Sequence, residues 1–291
     1  MGRRLFSSLM IYSWVWYMFS DYIARILVGA ALCVVSCTLL PSCSISEDRS
    51  ECPCFLVLDF STLECSSLIS QGFDSLRLEL SDRNGFDKSE CFALDSYVQE
   101  YCVSVPKTGV QVSVICAEEA YAYLDRKLQI PKGMDCPKVY MQTEWMETAT
   151  DGVRRTVSLH KNWCNIELNM VHPELGSQGM QMVSLEGNIC GYDFDGSLLE
   201  GPFYCLSRMN SDGIFNIKVP RQRDDSLRLR LYSRDLEELK TFPLGTCIIE
   251  SGYDWTAEDL EDISVSLDFA SSSIKVSTSK WKKTLNFDLK Y

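Results

Sequence analysis

Histidine is scarce in this chain of 291 residues, in which only His160 and His172 occur. A Ser-His-Asp site would need one of them. His160 ends a predicted strand, His172 precedes a proline in a predicted loop, and neither lies near a G-x-S-x-G nucleophile-elbow pattern. Both histidines therefore fit ordinary polar surface positions, and we expect a protein that is not an enzyme.

Positive charge is also in short supply: 28 Lys and Arg residues stand against 40 Asp and Glu residues, and the net charge is −12. Nucleic-acid binding requires clustered basic side chains that neutralise phosphates, and attraction to anionic lipid requires them too. The composition therefore argues against a nucleic-acid partner, and charge alone does not hold this protein on a membrane.

The motifs of a metal site are incomplete. Cys52-Pro53-Cys54 is a single C-x-C pair that could bind a soft metal ion, but no second C-x-C or C-x-x-C completes four ligands. We interpret the pair as a tether leading into the first strand and expect no metal and no cofactor. An acidic run with Asp254, Asp259 and Asp262 is typical of a solvated loop. Two alternatives remain for this run, a pair of catalytic carboxylates of a hydrolase and a weak calcium site, because the spacing of residues in a sequence does not give the distances between their carboxylates.

The N-terminus has the features of an export signal. Three arginines within the first 25 residues precede an apolar segment at 26–40, and Pro41-Ser42-Cys43 follows it. A positively charged N-terminal region, an apolar segment and a small residue before the cleavage site are typical of a secretory signal. A Cys directly after the cut resembles a bacterial lipobox. Because acidic, polar sequence begins right after Cys43, we predict lipidation there rather than at Cys37.

The apolar segment has 15 residues, fewer than the ~20 that a membrane-spanning helix needs. We therefore predict a cleaved leader at 1–42 and a lipidated tether at 43–51, with an uncleaved anchor as the alternative. Acyl chains on Cys43, at about 0.8 kcal/mol per buried CH₂, would then hold the protein on a membrane.

Eleven cysteines follow Cys43, and an odd number cannot all pair within one chain. Several lie inside apolar, strand-like runs, among them Cys116, Cys190 and Cys247. In such runs cysteine acts as a small apolar core residue. We predict that most are free thiols, while one or two disulfides stay possible.

Apolar and polar residues alternate along much of the chain after residue 52, as in Leu76–Leu80, Val110–Val114 and Leu227–Leu231. A period of two is typical of half-buried strands, and one covered face favours antiparallel sheets stacked in pairs. Asn-Gly and Asp-Gly pairs at 84–85, 151–152, 195–196 and 212–213 predict tight turns. Helical signal is sparse and limited to 117–128 and a single turn at 235–240.

No Gly-rich linker divides the chain, and the residues after the leader are enough for two domains. The loop around Thr148–Gly152 is the most plausible boundary, because a new strand pair is predicted after it, at 155–159 and 165–170. We predict one β-sandwich at 52–150 and a second at 151–291.

The segment from Ser42 to Pro53, running into the strand Phe55–Phe60, resembles the mature start of the FimB-type fimbrial anchor lipoproteins of Bacteroidetes. Arg155–Leu159 sits where that family opens its second domain. Ser273–Ser277, followed by Trp281, resembles its closing hairpin. The resemblance implies two tandem transthyretin-like antiparallel β-sandwiches in an all-β protein. It also implies a protein lipid-anchored in the cell outer membrane, at the exposed base of a fimbrium, that binds the stalk subunit and limits fibre length.

Antiparallel sandwiches leave unpaired backbone groups on their outer strands, where a partner can add a strand. The C-terminal segment Thr284–Tyr291 alternates to its last residue, so we expect Leu285, Phe287 and Leu289 to contact the stalk subunit. A surface lipoprotein that binds glycans for nutrient capture is the alternative. A lipid-anchored hydrolase is a third hypothesis.

Overall fold

A computed structural model of the chain describes residues 52–96, 99–118, 123–124, 126–171, 182–210, 213–233, 235–268, 273–278 and 282–285. The predicted leader and tether, with Cys43, lie outside these residues, as do His172, Trp281, Phe287 and Leu289. No helix of the described part is both long and apolar enough to cross a membrane.

Strands dominate the described residues. The strands are β1 (Cys54–Asp59), β2 (Ser75–Ser81), β3 (Asp87–Ala93), β4 (Glu100–Val105), β5 (Val110–Ala117), β6 (Tyr123–Leu124), β7 (Lys127–Gln129), β8 (Val139–Met146), β9 (Gly152–Thr156), β10 (His160–Lys161), β11 (Trp163–Val171), β12 (Met182–Asp193), β13 (Leu198–Arg208), β14 (Ile214–Pro220), β15 (Arg228–Tyr232), β16 (Glu238–Phe242), β17 (Ile263–Asp268), β18 (Ser273–Thr278) and β19 (Lys282–Leu285). The helices are α1 (Cys65–Ser70) and α2 (Leu244–Glu250), with a single 3-10 turn at Leu94–Ser96.

The predicted helices are wrong. Residues 117–128 contain the end of β5, the strand β6 and the start of β7, and residues 235–240 lead into β16. Leu128 shows why, because it is buried in β7, which pairs with β12. Pairing with the distant strand β12 has overridden the weak local preference for helix in the first segment, and hairpin pairing with β15 has done so in the second.

The first sandwich consists of a three-stranded sheet, β4-β1-β9, and a five-stranded sheet, β10-β8-β5-β2-β3. Its core forms because alternate residues of each strand turn inward, such as Leu56 and Leu58 of β1 and Leu78 and Leu80 of β2, all of which are buried. The alternation seen in the sequence therefore marks the inner faces of these sheets.

The second sandwich consists of a five-stranded sheet, β14-β11-β17-β18-β19, and a six-stranded sheet. Five strands of the second sheet follow the order β16-β15-β12-β7-β6, and the sixth, β13, pairs with β12. Val183 and Leu185 of β12 face Ile166 and Leu168 of β11 across its core. This core also takes in Ile115 of β5 with other apolar residues of β5 and β8, so the two sandwiches share continuous packing.

Seven strands are connected identically in the two sandwiches. In the first, β1 lies between β4 and β9, while β2 pairs with β3 and β5, and β5 pairs with β8. In the second, the same pairings join β11 to β14 and β17, β12 to β13 and β15, and β15 to β16. The expected all-β fold of two tandem transthyretin-like β-sandwiches is confirmed.

In the described residues, each sandwich has one pair of parallel strands, and the second has in addition a single parallel bridge between Gly133 and Cys205. β1 and β9 are parallel, and so are β11 and β17. The strand β9 begins at Gly152, after the predicted boundary at 150/151, yet it completes a sheet of the first sandwich beside Phe55. It is not paired with β11, as the strand pair expected after the boundary would require. The boundary itself stays a prediction.

Candidate functional site

One lateral side of the second sandwich is closed by a segment that we call the strap, residues 127–138. Its first residues form β7 and pair with β12 on the edge away from β13, and the following residues cross to the side of β13 and β14. Beyond that, the backbone N–H of Gly133 donates to the carbonyl oxygen of Tyr204 (2.8 Å), and that of Cys136 donates to Lys218 (2.8 Å). Tyr204 lies in β13 and Lys218 in β14, the outer strands of the two sheets on this side. The strap therefore occupies backbone acceptors that a partner strand would need there.

Charged side chains fasten the strap. The carboxylate of Glu118 accepts a hydrogen bond from the backbone N–H of Lys138 (3.1 Å) and one from the ammonium of Lys218 (3.1 Å). Burial alone would raise the pKa of Glu118, but these bonds outweigh burial and hold the pKa below its usual value. Asp135 lies 3.8 Å from the same ammonium, and burial raises its pKa. The strap is thus held by backbone bonds and by ionised groups together.

The opposite side of the second sandwich presents β19 of one sheet, and β16 and β6 of the other, as outer strands. Within the described residues β19 pairs only with β18, with Leu285 opposite Ile274. Leu285, a predicted partner-binding residue, therefore lies on the outermost strand of its sheet. The two other predicted residues, Phe287 and Leu289, lie outside the described part. Binding by these three residues stays a prediction.

The outer face of this sheet is polar. A depression of about 560 Å³ there is lined by Asn165, Glu167, Asp262, Ile263, Ser264, Ser266, Lys275, Ser277 and Thr278. Hydroxyl, amide and charged groups dominate this surface, and none of its lining residues is aromatic. It offers hydrogen bonds rather than an apolar or stacking contact.

The acidic run before β17 is tied to its neighbours. Asp259 accepts the backbone N–H of Lys161 (2.7 Å) and lies 3.4 Å from the ring of His160, measured from Oδ2 to Nδ1. Asp262 accepts the ammonium of Lys161 (2.6 Å) and the backbone N–H of Asn165 (2.8 Å). These carboxylates fix the loop against β10 and β11. No group of three or more His, Cys, Asp or Glu side chains suited to a metal ion occurs in the described part of the chain.

The side chain of Arg221 binds the backbone of the same loop. No motif in the sequence predicted this role. Its guanidinium donates to the carbonyl oxygens of Trp255 (2.6 Å), Ala257 (2.7 Å) and Glu258 (3.1 Å). A fourth bond reaches the side chain of Asn162 (3.1 Å). Burial lowers the pKa of Arg221, which is the direction expected for a cation taken from water. The side chain acts as a structural clamp.

The described cysteines behave as predicted for core residues, since eight of them are buried. Burial raises the pKa of the thiols of Cys116, Cys164, Cys205 and Cys247 to about 12. In the C-x-C pair, Cys54 is fully buried in the first core and Cys52 is exposed. The two thiols therefore do not present a joint surface site.

No model of a protein family matches this sequence, and no curated protein matches it. Solved structures share its fold. A proposed polysaccharide-binding protein from Bacteroides thetaiotaomicron is 13% identical, with a TM-score of 0.60 over 81% of this chain and 100% of that chain. The fimbrial anchor protein Mfa2 from Porphyromonas gingivalis is 12% identical, with a TM-score of 0.54 over 81% of this chain and 100% of that chain. A proposed adhesin from Bacteroides ovatus is 11% identical, with a TM-score of 0.54 over 82% of this chain and 96% of that chain.

Proposed function

We propose that this protein is a non-enzymatic lipoprotein at the base of a fimbrium, where it binds the stalk subunit and starts or limits polymerisation. Its fold is shared with a fimbrial anchor protein over 81% of the chain. The lipobox-like sequence ending in Cys43 supplies a means of attachment to the outer membrane. A predicted signal for lipid attachment and the fold of a fimbrial anchor protein therefore occur in one molecule.

The observation that carries the proposal is the position of strand β19. Among the described residues it is the outermost strand of its sheet, whereas the strap covers the outer strands on the other side. A stalk subunit would add a strand beside β19, with backbone bonds supplying affinity and alternate side chains supplying specificity. Leu285, Phe287 and Leu289 have the spacing to present one apolar face to that strand.

A matched pair of variants tests this mode of binding. Replacing both Phe287 and Leu289 with Ser is expected to abolish co-purification of the stalk subunit from native membranes. Replacing Asn286 and Asp288 with Ser changes the opposite face of the same segment and is expected to leave co-purification intact. Equal recovery of the stalk subunit with both variants would refute strand addition at this segment.

Lipid attachment is tested separately. Cells grown with labelled palmitate are expected to label the unaltered protein and the Cys37→Ala variant, but not the Cys43→Ala variant. Label retained after loss of Cys43 would remove the proposed anchor, and the protein would then need another route to the envelope.

Surface glycan binding is the second candidate, and the fold shared with a proposed polysaccharide-binding protein favours it. The polar depression beside β19 is where a glycan would find hydrogen-bonding partners. Retention on immobilised capsular or dietary polysaccharides, lost in a Glu167→Ala and Lys275→Ala variant, would support this alternative. Retention of the stalk subunit by the same variant would instead favour the anchor.

A further inference from the structure

One five-residue turn recurs at four places in this protein, at three hairpins of paired strands and at the link from β13 to β14, which lie in different sheets. In each, the backbone N–H of the first residue donates to the carbonyl oxygen of the fifth, at 2.8 to 3.0 Å. Such a turn fits a hairpin whose fourth residue adopts a left-handed conformation. The four turns are Asp82–Phe86, Asp193–Ser197, Asn210–Ile214 and Ser233–Glu237.

The fourth position separates one turn from the other three. It is occupied by Gly85, Gly196 and Gly213, with φ of 99°, 90° and 79°, and in the last turn by Leu236, with φ of 63°. Glycine adopts this conformation without steric penalty, whereas a side chain with a Cβ is strained in it. The turn between β15 and β16 thus carries leucine where the chain elsewhere carries glycine.

Burial does not compensate for this strain, because Leu236 is 62% exposed. The turn is nevertheless held firmly. The hydroxyl oxygen of Ser233 accepts the backbone N–H groups of Asp235 (3.2 Å) and Glu237 (3.1 Å), and the N–H of Leu236 donates to the carbonyl oxygen of Ser233 (3.1 Å). A strained, solvent-facing leucine in a pre-organised turn is a feature that folding does not require, and such strain is concentrated at functional sites.

A second leucine stands nearby. The register between β15 and β16 shifts at Leu239, which forms a bulge and is 44% exposed. Bulges re-aim side chains at sheet edges. Both leucines belong to the hairpin of β16, which is an outer strand on the side of the second sandwich away from the strap. That is also the side on which β19 is the outer strand.

We propose that Leu236 and Leu239 form an apolar anchor that inserts into a pocket of the same stalk subunit that adds its strand beside β19. The inference rests on the proposed function and extends it to a second contact. The exposed carboxylates of Asp235 and Glu237 flank Leu236 and disfavour an anionic lipid surface. A protein pocket that is apolar inside and basic at its rim is the occupant that fits both properties.

The test uses the mature, lipidated protein purified in detergent and the stalk subunit purified from the fimbriae of the same cells. Leu236→Gly restores the residue found in the three other turns, so its melting temperature is expected to rise by about 2–4 °C. Its Kd for the stalk subunit is expected to rise at least about tenfold. Leu239→Ser is expected to weaken binding without raising the melting temperature. Leu206→Ser is the matched control, since Leu206 lies on β13, on the strap side, and is 39% exposed.

A purely structural role would make stability and affinity change together, so opposite changes in Leu236→Gly support the anchor. An unchanged Kd in both leucine variants, with the unaltered protein binding normally, overturns the anchor and leaves the proposed function standing. If the unaltered protein does not bind the stalk subunit, both proposals fail. In the Cys43→Ala protein, which lacks the acyl chains, loss of binding to phosphatidylethanolamine–phosphatidylglycerol vesicles on leucine substitution, with subunit affinity retained, would assign the leucines to lipid and also overturn the anchor.

Discussion

Replacing Arg221 with Ala is expected to destabilise the second sandwich more than any change at an exposed charge. The guanidinium makes four hydrogen bonds, three of them to backbone carbonyls of the loop that leads to β17. Trp255 is buried, so its carbonyl would lose its partner away from water, whereas Glu258 is exposed and its carbonyl would be solvated. Hydrogen bonds to charged groups contribute about 1.5–3 kcal/mol each, and they are not additive.

We therefore expect a loss of about 3–5 kcal/mol in the free energy of unfolding for Arg221→Ala. The measurement is urea unfolding followed by tryptophan fluorescence, because Trp255 and Trp163 are both buried in the second core. Arg223→Ala is the control, since Arg223 pairs with Glu200 at the surface and such pairs contribute about 0–1 kcal/mol. A loss below about 1 kcal/mol for Arg221→Ala would refute the clamp.

Three further predictions follow from local geometry. Gly109→Ala is expected to destabilise the first sandwich by about 1–3 kcal/mol, measured by thermal unfolding, because a Cβ there would lie 2.6 Å from the ring of Trp145 and φ is 88°. Hydrogen bonds from Ser61 and from Arg154 hold the pKa of Asp59 at about 2. The stabilisation that the ionised Asp59 contributes is fully present above the pKa that Asp59 has in the unfolded chain, and it is lost as the pH falls through about 2. Arg154→Met is expected to raise the pKa of Asp59, measured by NMR titration. Under native conditions a thiol reagent should modify only three of the described cysteines, namely Cys52, Cys91 and Cys102.

The strands and several turns could be predicted from the sequence because their signals are local. Leu76–Leu80 alternates in sequence and has its apolar residues buried in β2. The Asn-Gly and Asp-Gly pairs at 84–85, 195–196 and 212–213 fall in three of the four recurrent turns. Turn chemistry and side-chain alternation act over a few residues, so a single chain reveals them.

The fourth turn escaped prediction for the reason that makes it interesting. Leu236 occupies the position where glycine would have signalled a hairpin, so residues 235–240 resembled a helical turn instead. The strap and the Arg221 clamp escaped for a different reason. Gly133 bonds Tyr204, and Arg221 bonds Trp255, across long separations in the sequence that no local pattern encodes. The partner-binding residues Phe287 and Leu289 remain predictions from alternation alone.

Because the two sandwiches repeat one seven-strand topology, their differences indicate where the second has specialised. The strands β3 and β4 of the first correspond to β13 and β14 of the second, and the strap covers only the second pair. On the other side, the second sandwich continues beyond its seventh strand, β17, with β18 and β19 in the same sheet, whereas in the described residues the first continues beyond β9 only with the two-residue strand β10 beside β8. Closure on one side and extension on the other are independent additions to the same module. Both would direct the proposed partner strand toward the side that carries the strained leucine, which is why we assign the two proposed contacts to one partner.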